Sequence, residues 1–574
     1  MPRRFRLTVI LVVATMAATA CGSAATSPGA SSQASAPAST APASQPAEAS
    51  EAAPASPASP NAGGTLVVAM PGDIAATDPI LTGDTNSDYL TRNVAQGLVD
   101  YAPGSTTEIV GLLATSWVVS PDGLTYTFTL RPDVTFQDGT PFDATAVKSN
   151  FDRWINLPQQ LQGAASSNFG YIEGFGSACV IASVSAPDPH TVVFTLRHPQ
   201  SSFLSVLTFA GYSILSPAAL KAGGGDNSVT DASKMTEAQG GKGALVGTGP
   251  FKFVEWVPGD HITIARSDSY WGPKANLDQV VFKPVADQAQ VLNGLKTGEF
   301  DLAQQVSPQY FDAVKANPAL QLIDRGGSCN YMAVQFNLQY PTVDNVKIRE
   351  AIAYAVNKQP YIDAFYGGLA TPADSWMPLT IQNAVPLGLP TYDPEKAKQL
   401  IAESGIPNPT LDFWYMTQAR PYVPDPKGLF QAISADLQAV GFKVVPHTEA
   451  WSNYVNDALG GKLPMYLLGG TCSYPGPDEF LTARFGYVSG KPALQFSLKD
   501  DALNTALVQA GQATDEAKAK ALWQKAQELI KADMPSVPLL NSRPPAAAQA
   551  YVKDWVPQAA LNEPFGTVWL SKRP

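Results

Sequence analysis

The chain has 574 residues, 45% of them hydrophobic and only 15% charged, with a formal net charge of −11. That is enough apolar mass for several structural units, and an acidic balance without Lys/Arg clusters argues against nucleic acid as a partner. Four cysteines without a CxxC spacing argue against a zinc ribbon or thioredoxin-type centre, and four scattered histidines (His190, His198, His261, His447) argue against a His-based metal site.

The first 20 residues read as an address. Arg3, Arg4 and Arg6 precede an apolar stretch over 7–18, and Ala18, Thr19 and Ala20 supply small residues before Cys21. This is the layout of a secretory signal, and the apolar run is too short to span ~30 Å of hydrocarbon as a helix. The cysteine after small residues resembles a bacterial lipoprotein box, with Ala18 where leucine is usual. The resemblance implies lipidation at Cys21 and removal of residues 1–20. Residues 22–60 hold 31 Ala, Ser or Pro among 39 and no large apolar side chain. Nothing there offsets the entropy of ordering, so 21–60 is expected to be a disordered tether behind the anchored cysteine. No later segment has 18 apolar residues in a row.

The body, 61–574, shows no internal repeat. A short apolar strand is predicted at 66–70. Leu124, Tyr126, Phe128 and Leu130 alternate with threonines after the Pro121-Asp122-Gly123 turn, which predicts a half-buried strand. Another strand is predicted at 191–196, a hairpin around Pro258-Gly259, and strands at 280–285 and 442–445. Helices follow. Ile348, Ile352, Ala355 and Val356 form one stripe; Asp393 and Pro394 cap and open another helix, with Gly405 beyond its end. Leu429, Phe430, Ile433, Leu437 and Val440 form a third stripe, and Leu522, Trp523, Ala526, Leu529 and Ile530 a fourth. Strands interspersed with helices predict α/β or α+β layers.

No GxSxG, HExxH, Walker A, GxGxxG or EF-hand pattern is present. Gly247-Thr248-Gly249-Pro250 leads into a strand and reads as a backbone turn. The neighbours Asp478 and Glu479 are a carboxylate pair, but their spacing alone does not separate a functional pair from surface charge. Beyond Cys21, the cysteines Cys179, Cys329 and Cys472 allow at most one internal disulfide. Trp414, Tyr415, Arg420, Tyr422, Trp451, Tyr454, Tyr466 and Tyr474 crowd one region. They are either walls of a concave ligand site or core aromatics.

Longer motifs carry a resemblance. Ser120-Pro-Asp-Gly-Leu-Thr-Tyr-Thr-Phe-Thr-Leu-Arg131, the following 134–141 segment, Gly247-Thr-Gly-Pro-Phe-Lys-Phe253, Tyr270-Trp-Gly272, 345–358 and Asp393-Pro-Glu-Lys-Ala-Lys398 occur in order. Together they resemble the extracytoplasmic solute-binding proteins of family 5, the dipeptide/oligopeptide class. The resemblance implies an α/β, two-lobe clamshell of three domains. Domain I would be 61–95, 247–325 and 540–574; domain II the insertion 96–246; domain III 326–539. It implies a binding protein rather than an enzyme, without cofactor or metal. Its partners would be a small-molecule or peptide ligand, the membrane permease of an ATP-binding-cassette importer, and the membrane itself through the lipid anchor. The protein would be a monomer outside the cytoplasm, on the outer face of the cell membrane or in a periplasm.

The resemblance also implies site residues. An Arg-Pro-Tyr segment grips the ligand carboxylate in dipeptide binders, and Arg420-Pro421-Tyr422 stands in that place; a guanidinium fork suits a carboxylate. The family's Gly-Trp-x-x-Asp-Tyr-x-Asp-Pro segment holds the α-ammonium with its first Asp. Here Gly469-Gly-Thr-Cys-Ser-Tyr-Pro-Gly-Pro-Asp478 replaces it, so Ser473 stands at that Asp and Gly470 at the Trp. A desolvated ammonium without its counter-charge costs about 3–5 kcal/mol, roughly a hundredfold or more in affinity. A standard free-amine dipeptide is therefore not the expected ligand unless another carboxylate compensates, and Asp84 in the 81–87 loop is the candidate named for that. Gly470 is expected to enlarge the pocket. Arg420, Tyr422, Thr471, Ser473, Tyr474 and Asp84 form the expected ligand-binding set. A Cys329–Cys472 bond, if formed, is expected to restrain closure. Peptides, oligosaccharides, opine-like solutes and metal chelates remain open, as do a sensing or adhesion role on the same scaffold and, more remotely, a tethered hydrolase.

Overall fold

Three larger sheets carry the fold, and the burial pattern of their strands sets how each is covered. The computed structural model describes residues 63–571 apart from 83, 164, 166–168, 228–244, 489 and 559–563. The expected signal (1–20), Cys21 and the tether (21–60) lie outside the described residues.

The first sheet has seven strands, in the order Leu320–Ile323, Ala546–Gln549, Leu302–Ala303, Thr65–Met70, Gln279–Pro284, His261–Arg266, Phe251–Val257. Thr65–Met70 pairs parallel with both neighbours, and its continuous apolar run fits a strand covered on two faces. Leu66, Val68 and Met70 join one core with Val280 and Phe282, while Ala69 joins another with Leu295 and Phe311. The hairpin expected around Pro258-Gly259 is present, with Gly259 at φ +78°.

The second sheet has four antiparallel strands, in the order Ala114–Val119, Thr125–Leu130, Thr191–Leu196, Ile181–Asp188. Its alternation is clean. Tyr126, Phe128 and Leu130 are buried while Thr129 is exposed. The apolar face packs on the helix Ala144–Ile155 through Phe151 and Trp154, with the Phe151 and Phe194 ring centroids 4.7 Å apart. This unit is inserted between strands of the first sheet. At the junction Gly247 and Gly249 are obligatory: a Cβ there would sit 2.3 Å from Val94 O and 2.7 Å from Asn93 O. The predicted backbone turn is therefore a close-approach site where two passages of chain touch.

The third sheet has six strands, in the order Ala370–Pro372, Ser536–Ser542, Asn330–Phe336, Met465–Thr471, Thr410–Trp414, Lys443–His447. Ser536–Ser542 is buried at every position. The helices Val346–Ala355, Pro394–Glu403, Pro426–Ala439 and Glu516–Asp533 surround it. Asp393 and Asp425 cap two of them, accepting from Lys396 N (2.9 Å) and Gly428 N (2.8 Å). In Glu516–Asp533 the buried face is Ala519, Trp523, Ala526, Gln527 and Ile530; Leu522 and Leu529 are only partly buried. Gln527 is fully buried because its amide is satisfied by Ser375 Oγ (3.0 Å) and Asn383 O (3.0 Å).

Two short passages, 324–329 and 543–545, join the first and third sheets. Arg325 Nη1 donates to Pro544 O at 2.7 Å, and Arg543 pairs with Asp324 at 3.4 Å, so the two passages are laced together. Two adjacent connections between two packed bodies are the geometry of a hinge.

Candidate ligand-binding site

The site grows from two central strands of the third sheet. Asn330–Phe336 runs antiparallel to Met465–Thr471, with Asn330 opposite Thr471, Tyr331 opposite Gly470 and Met332 opposite Gly469. One residue beyond this register the chains are bonded. Cys329 and Cys472 form a disulfide with Cα atoms 5.4 Å apart, and Cys472 N donates to Cys329 O at 3.0 Å. Cys329 ends the 324–329 passage and Cys472 begins the 472–479 loop, so the bond fastens that loop to the point where the passage enters the six-stranded sheet. Cys179 is a separate, buried free thiol.

Arg420 and Val423 exchange backbone hydrogen bonds (3.0 and 2.9 Å), which turns the Arg420 side chain over Trp451. Its guanidinium carbon lies 4.2 Å from that ring centroid. Its charge and a hydrogen bond bear on the Tyr422 hydroxyl, while its Nε is buried without a hydrogen-bond partner. Tyr422 in turn lies against the glycine pair: a Cβ on Gly469 would be 2.6 Å from the Tyr422 ring. Thr471 Oγ1 is spent on Asn330 Oδ1, at 2.6 Å. Ser473 is half-buried, and its amide points at Glu479 Oε1, at 3.4 Å.

Two expected residues do something else. Tyr474 leaves the strand pair and buries its ring in the core of the four-stranded unit, with its hydroxyl donating to Asp478 Oδ2 at 2.8 Å. Asp84 is the N-cap of the helix Thr85–Val94. It accepts from Ser87 N (3.0 Å) and Ser87 Oγ (2.7 Å), a local role with a full explanation in helix capping.

The room expected at Gly470 is already filled. A Cβ there would be 2.7 Å from Tyr331 Cε1, so the Tyr331 ring occupies the space that a side chain at 470 would take. The Arg484 guanidinium covers that ring, its carbon 3.2 Å from the centroid, with Phe480 behind at 5.3 Å. Beside Tyr331, Arg484, Trp376 and Asn541 is a cavity of roughly 10 Å³, about one water. Of the crowded aromatics, Tyr454 and Tyr466 are core residues whose hydroxyls donate to Leu467 O (2.6 Å) and Gln495 O (3.2 Å).

Sequence reasoning missed the carboxylates' placement. Asp478 and Glu479 stand at the start of the short helix Pro477–Phe480, and Asp478 Oδ1 and Glu479 Oε2 are shut from solvent with no hydrogen-bond partner. Burial pushes Glu479 up to about 7, with the Asp478 charge adding and Arg484 opposing. Asp478 is also raised by burial, against the hydrogen bonds from Ser202 and Tyr474. Glu173, from the four-stranded unit, is 1% exposed and pushed up to about 8 by burial. Gln200 is beside it, yet neither Glu173 oxygen accepts a well-formed hydrogen bond. Each such orphaned acceptor costs about 1–3 kcal/mol. Asp478 and Glu479 stood out in the sequence only as a carboxylate pair, and nothing in the sequence pointed to Glu173.

The four-stranded and six-stranded units touch around these groups. Ser202 Oγ donates to Asp478 Oδ2 (2.5 Å), Ser201 N to Gly511 O (2.7 Å), and Thr106 Oγ1 to Thr380 O (2.7 Å). Among the described residues no three His, Cys, Asp or Glu side chains converge to hold a metal ion, and no helix is long and apolar enough to cross a membrane. The six-stranded unit thus carries cations (Arg420, Arg484) and carboxyls (Asp478, Glu479) near one another, which is chemistry for holding a polar solute.

Residues 108–492 match the description of the bacterial extracellular solute-binding proteins, family 5. The chain belongs to that family. This family 5 protein is 29% identical to the dipeptide-binding protein of Escherichia coli over 86% of its own length and 92% of the relative's. It is 32% identical to heme-binding protein A of Haemophilus influenzae, over 84% and 87%. A periplasmic binding protein of Helicobacter pylori, solved with the peptide STSA, superposes with a TM-score of 0.74 at 30% identity, covering 89% of this chain and 99% of that one. As a family 5 protein it is a multi-domain clamshell with a substrate-binding, non-enzymatic role outside the cytoplasm.

Proposed function

We propose that this family 5 protein captures a peptide-like solute with a free carboxylate and hands it to the permease of an ATP-binding-cassette importer. One observation carries the reading. The Arg420 guanidinium is oriented by Trp451 and Tyr422, pairs with no carboxylate among the described residues, and keeps a buried Nε without a partner. A permanently charged fork held in this way is ready for a carboxylate. Relatives named for dipeptides and a structural neighbour holding a tetrapeptide support the same ligand class. The seven-, four- and six-stranded sheets would mark domains I, II and III, with the ligand between the six-stranded domain and the other two. Cys21 would carry the lipid anchor, and the 21–60 tether would let a monomer reach the permease. A Cys329–Cys472 disulfide fits an oxidising, exported location.

A second reading keeps the scaffold and changes the solute. Ser473 in place of an acid, and a heme-binding relative, favour a carboxylated non-peptide ligand. Thermal unfolding with tripeptides bearing a free or an amidated C-terminus separates the two. The first reading expects the free-carboxylate peptides to raise the melting temperature, by ~2.7 kcal/mol of stabilisation at a hundredfold over Kd. Arg420→Ala should weaken them at least tenfold while leaving the empty protein's melting temperature nearly unchanged. Equal affinity in the two proteins removes Arg420 from the role.

A further inference from the structure

The loop after Thr471 carries a side chain that does not stay with its own unit. Tyr474 is 3% exposed, and among the described residues every other buried member of the core it joins lies within 80–214, the inserted unit and its approach. Its hydroxyl donates to Asp478 Oδ2 at 2.8 Å, and the same oxygen accepts from Ser202 Oγ of the four-stranded unit at 2.5 Å. Gly476 makes the turn possible: a Cβ there would be 2.5 Å from the Tyr474 ring and 2.7 Å from Asp478 Oδ1. The loop is shaped around the ring that it delivers to the other unit.

Lighter contacts run along the same interface. Ser201 N donates to Gly511 O at 2.7 Å, Thr106 Oγ1 donates to Thr380 O at 2.7 Å, and a Cβ on Gly123 would meet Thr514 Cγ2 at 2.6 Å. Residues 106, 123 and 201 belong to the inserted unit, and their partners to the six-stranded one. The chain does not connect these two units directly, since the passages 324–329 and 543–545 join the first and third sheets. In a clamshell that opens about those passages, the contacts between the four-stranded and six-stranded units are the ones that part. A surface hydroxyl exchanges its carbonyl partner for water with little net change. Drawing a tyrosine ring out of an apolar core exposes the ring and its seat together.

We propose that Tyr474 is the clasp of the closed form, a positioning residue that touches no ligand and sets how firmly the two lobes stay shut. Ser473 precedes it directly, and Cys472 before that is bonded to Cys329. One short loop, fastened at its start, thus carries the position expected to face the ligand and the ring that holds the other lobe. A ligand seated at Ser473 and a ring seated in the four-stranded unit favour the same arrangement of the loop. Apparent affinity then scales with the closed fraction that the ring secures. The inference rests on the clamshell of the family and not on the peptide-like reading, because any solute that needs closed lobes draws on the same clasp.

The test follows hydrogen exchange of the full-length chain in detergent, resolved to single amides, and measures binding of free-carboxylate tripeptides by calorimetry. The Ser201 amide reports the clasp, because its acceptor, Gly511 O, lies on the other unit. The Val206 amide, bonded to Ser202 O within its own unit at 2.8 Å, is the control. In the empty protein Tyr474→Ala should speed Ser201 exchange by about tenfold with Val206 unchanged, and it should weaken the tripeptides by about the same factor. Tyr474→Phe keeps the ring, loses the bond to Asp478 and should fall between the wild type and the alanine variant, which keeps the test decisive where the alanine variant does not fold. Unchanged Ser201 exchange in Tyr474→Ala overturns the clasp, and weaker binding alongside it would make Tyr474 a ligand contact instead. Equal acceleration at Ser201 and Val206 also overturns it, since that marks a loosened core. Tripeptides that fail to bind the wild type overturn the peptide-like reading alone, and the exchange of the empty proteins still decides the clasp.

Discussion

The cationic and acidic groups of the candidate site are built in opposite ways. Arg420 and Arg484 are each laid on an aromatic face, Trp451 and Tyr331, which shields the cation without neutralising it. The acids Glu479, Asp478 and Glu173 are enclosed with too few donors, and burial raises all three toward neutrality. The positive side is therefore charged at any working pH, because a guanidinium does not deprotonate. The negative side is conditional: it holds protons up to about neutral pH. Rings supply one half of the site with permanence, and orphaned oxygens supply the other with responsiveness.

The largest expected perturbation tests whether the two halves are mechanically separate. The disulfide fastens the loop bearing Ser473, Asp478 and Glu479 but not the turn bearing Arg420. Replacing Cys329 and Cys472 by alanine should cost about 2–5 kcal/mol, since the bond closes a loop of 143 residues. Binding of a free-carboxylate peptide through Arg420 should be largely retained. Denaturant unfolding and calorimetry check this, and loss of that binding would mean the halves share one support.

A smaller effect follows from the conditional charge. Glu479 and Glu173 titrate near 7 and 8 in the folded protein against an ordinary value of 4.5. The native state then binds protons that the unfolded chain has released, so stability is full below about pH 4.5 and falls as pH rises to about 8. The facing groups do not reverse the sign: Arg484 and Asp478 at Glu479, Gln200 and Asp478 at Glu173 are already in those shifts. The empty protein should lose several kcal/mol (on the order of 5) between pH 5 and pH 8. Glu173→Gln should flatten the slope. A melting temperature independent of pH over this range breaks the contrast between the halves.

The smallest effect concerns an acid outside both halves. Asp84→Ala should lower stability by about 0.5–2 kcal/mol through loss of a helix cap, with ligand affinity unchanged. A tenfold loss of affinity would bring Asp84 back into the site.

Much of this was legible in the chain itself. Period-2 alternation over 124–130 and the stripe through Leu429, Ile433 and Leu437 became a strand and a helix because both patterns are local, and burial only selects which face turns inward. The Asp393-Pro394 start needed no tertiary partner. Ordered motifs carried the family, and one of them carried Arg420. They also exposed the absence at Ser473, since a missing charge shows in an ordered motif. The Leu522 and Leu529 positions show the limit even for a helix: the stripe was real, yet polar Gln527 took an interior place because Ser375 and Asn383 waited there.

What surrounds Ser473 was decided elsewhere. Glu173 is remote in sequence, and its charge acts on Asp478 only because the inserted unit packs against the six-stranded one. Tyr331 fills the space beside Gly470 only through strand register. Cys329 meets Cys472 because the same register ends there. The sequence by itself determined the elements, the family and the charge that is lacking, since these are written in local patterns and ordered motifs. Tertiary structure alone decided which side chains surround that position, because burial, orphaned acceptors and cross-unit contacts are properties of pairs that no spacing along the chain encodes.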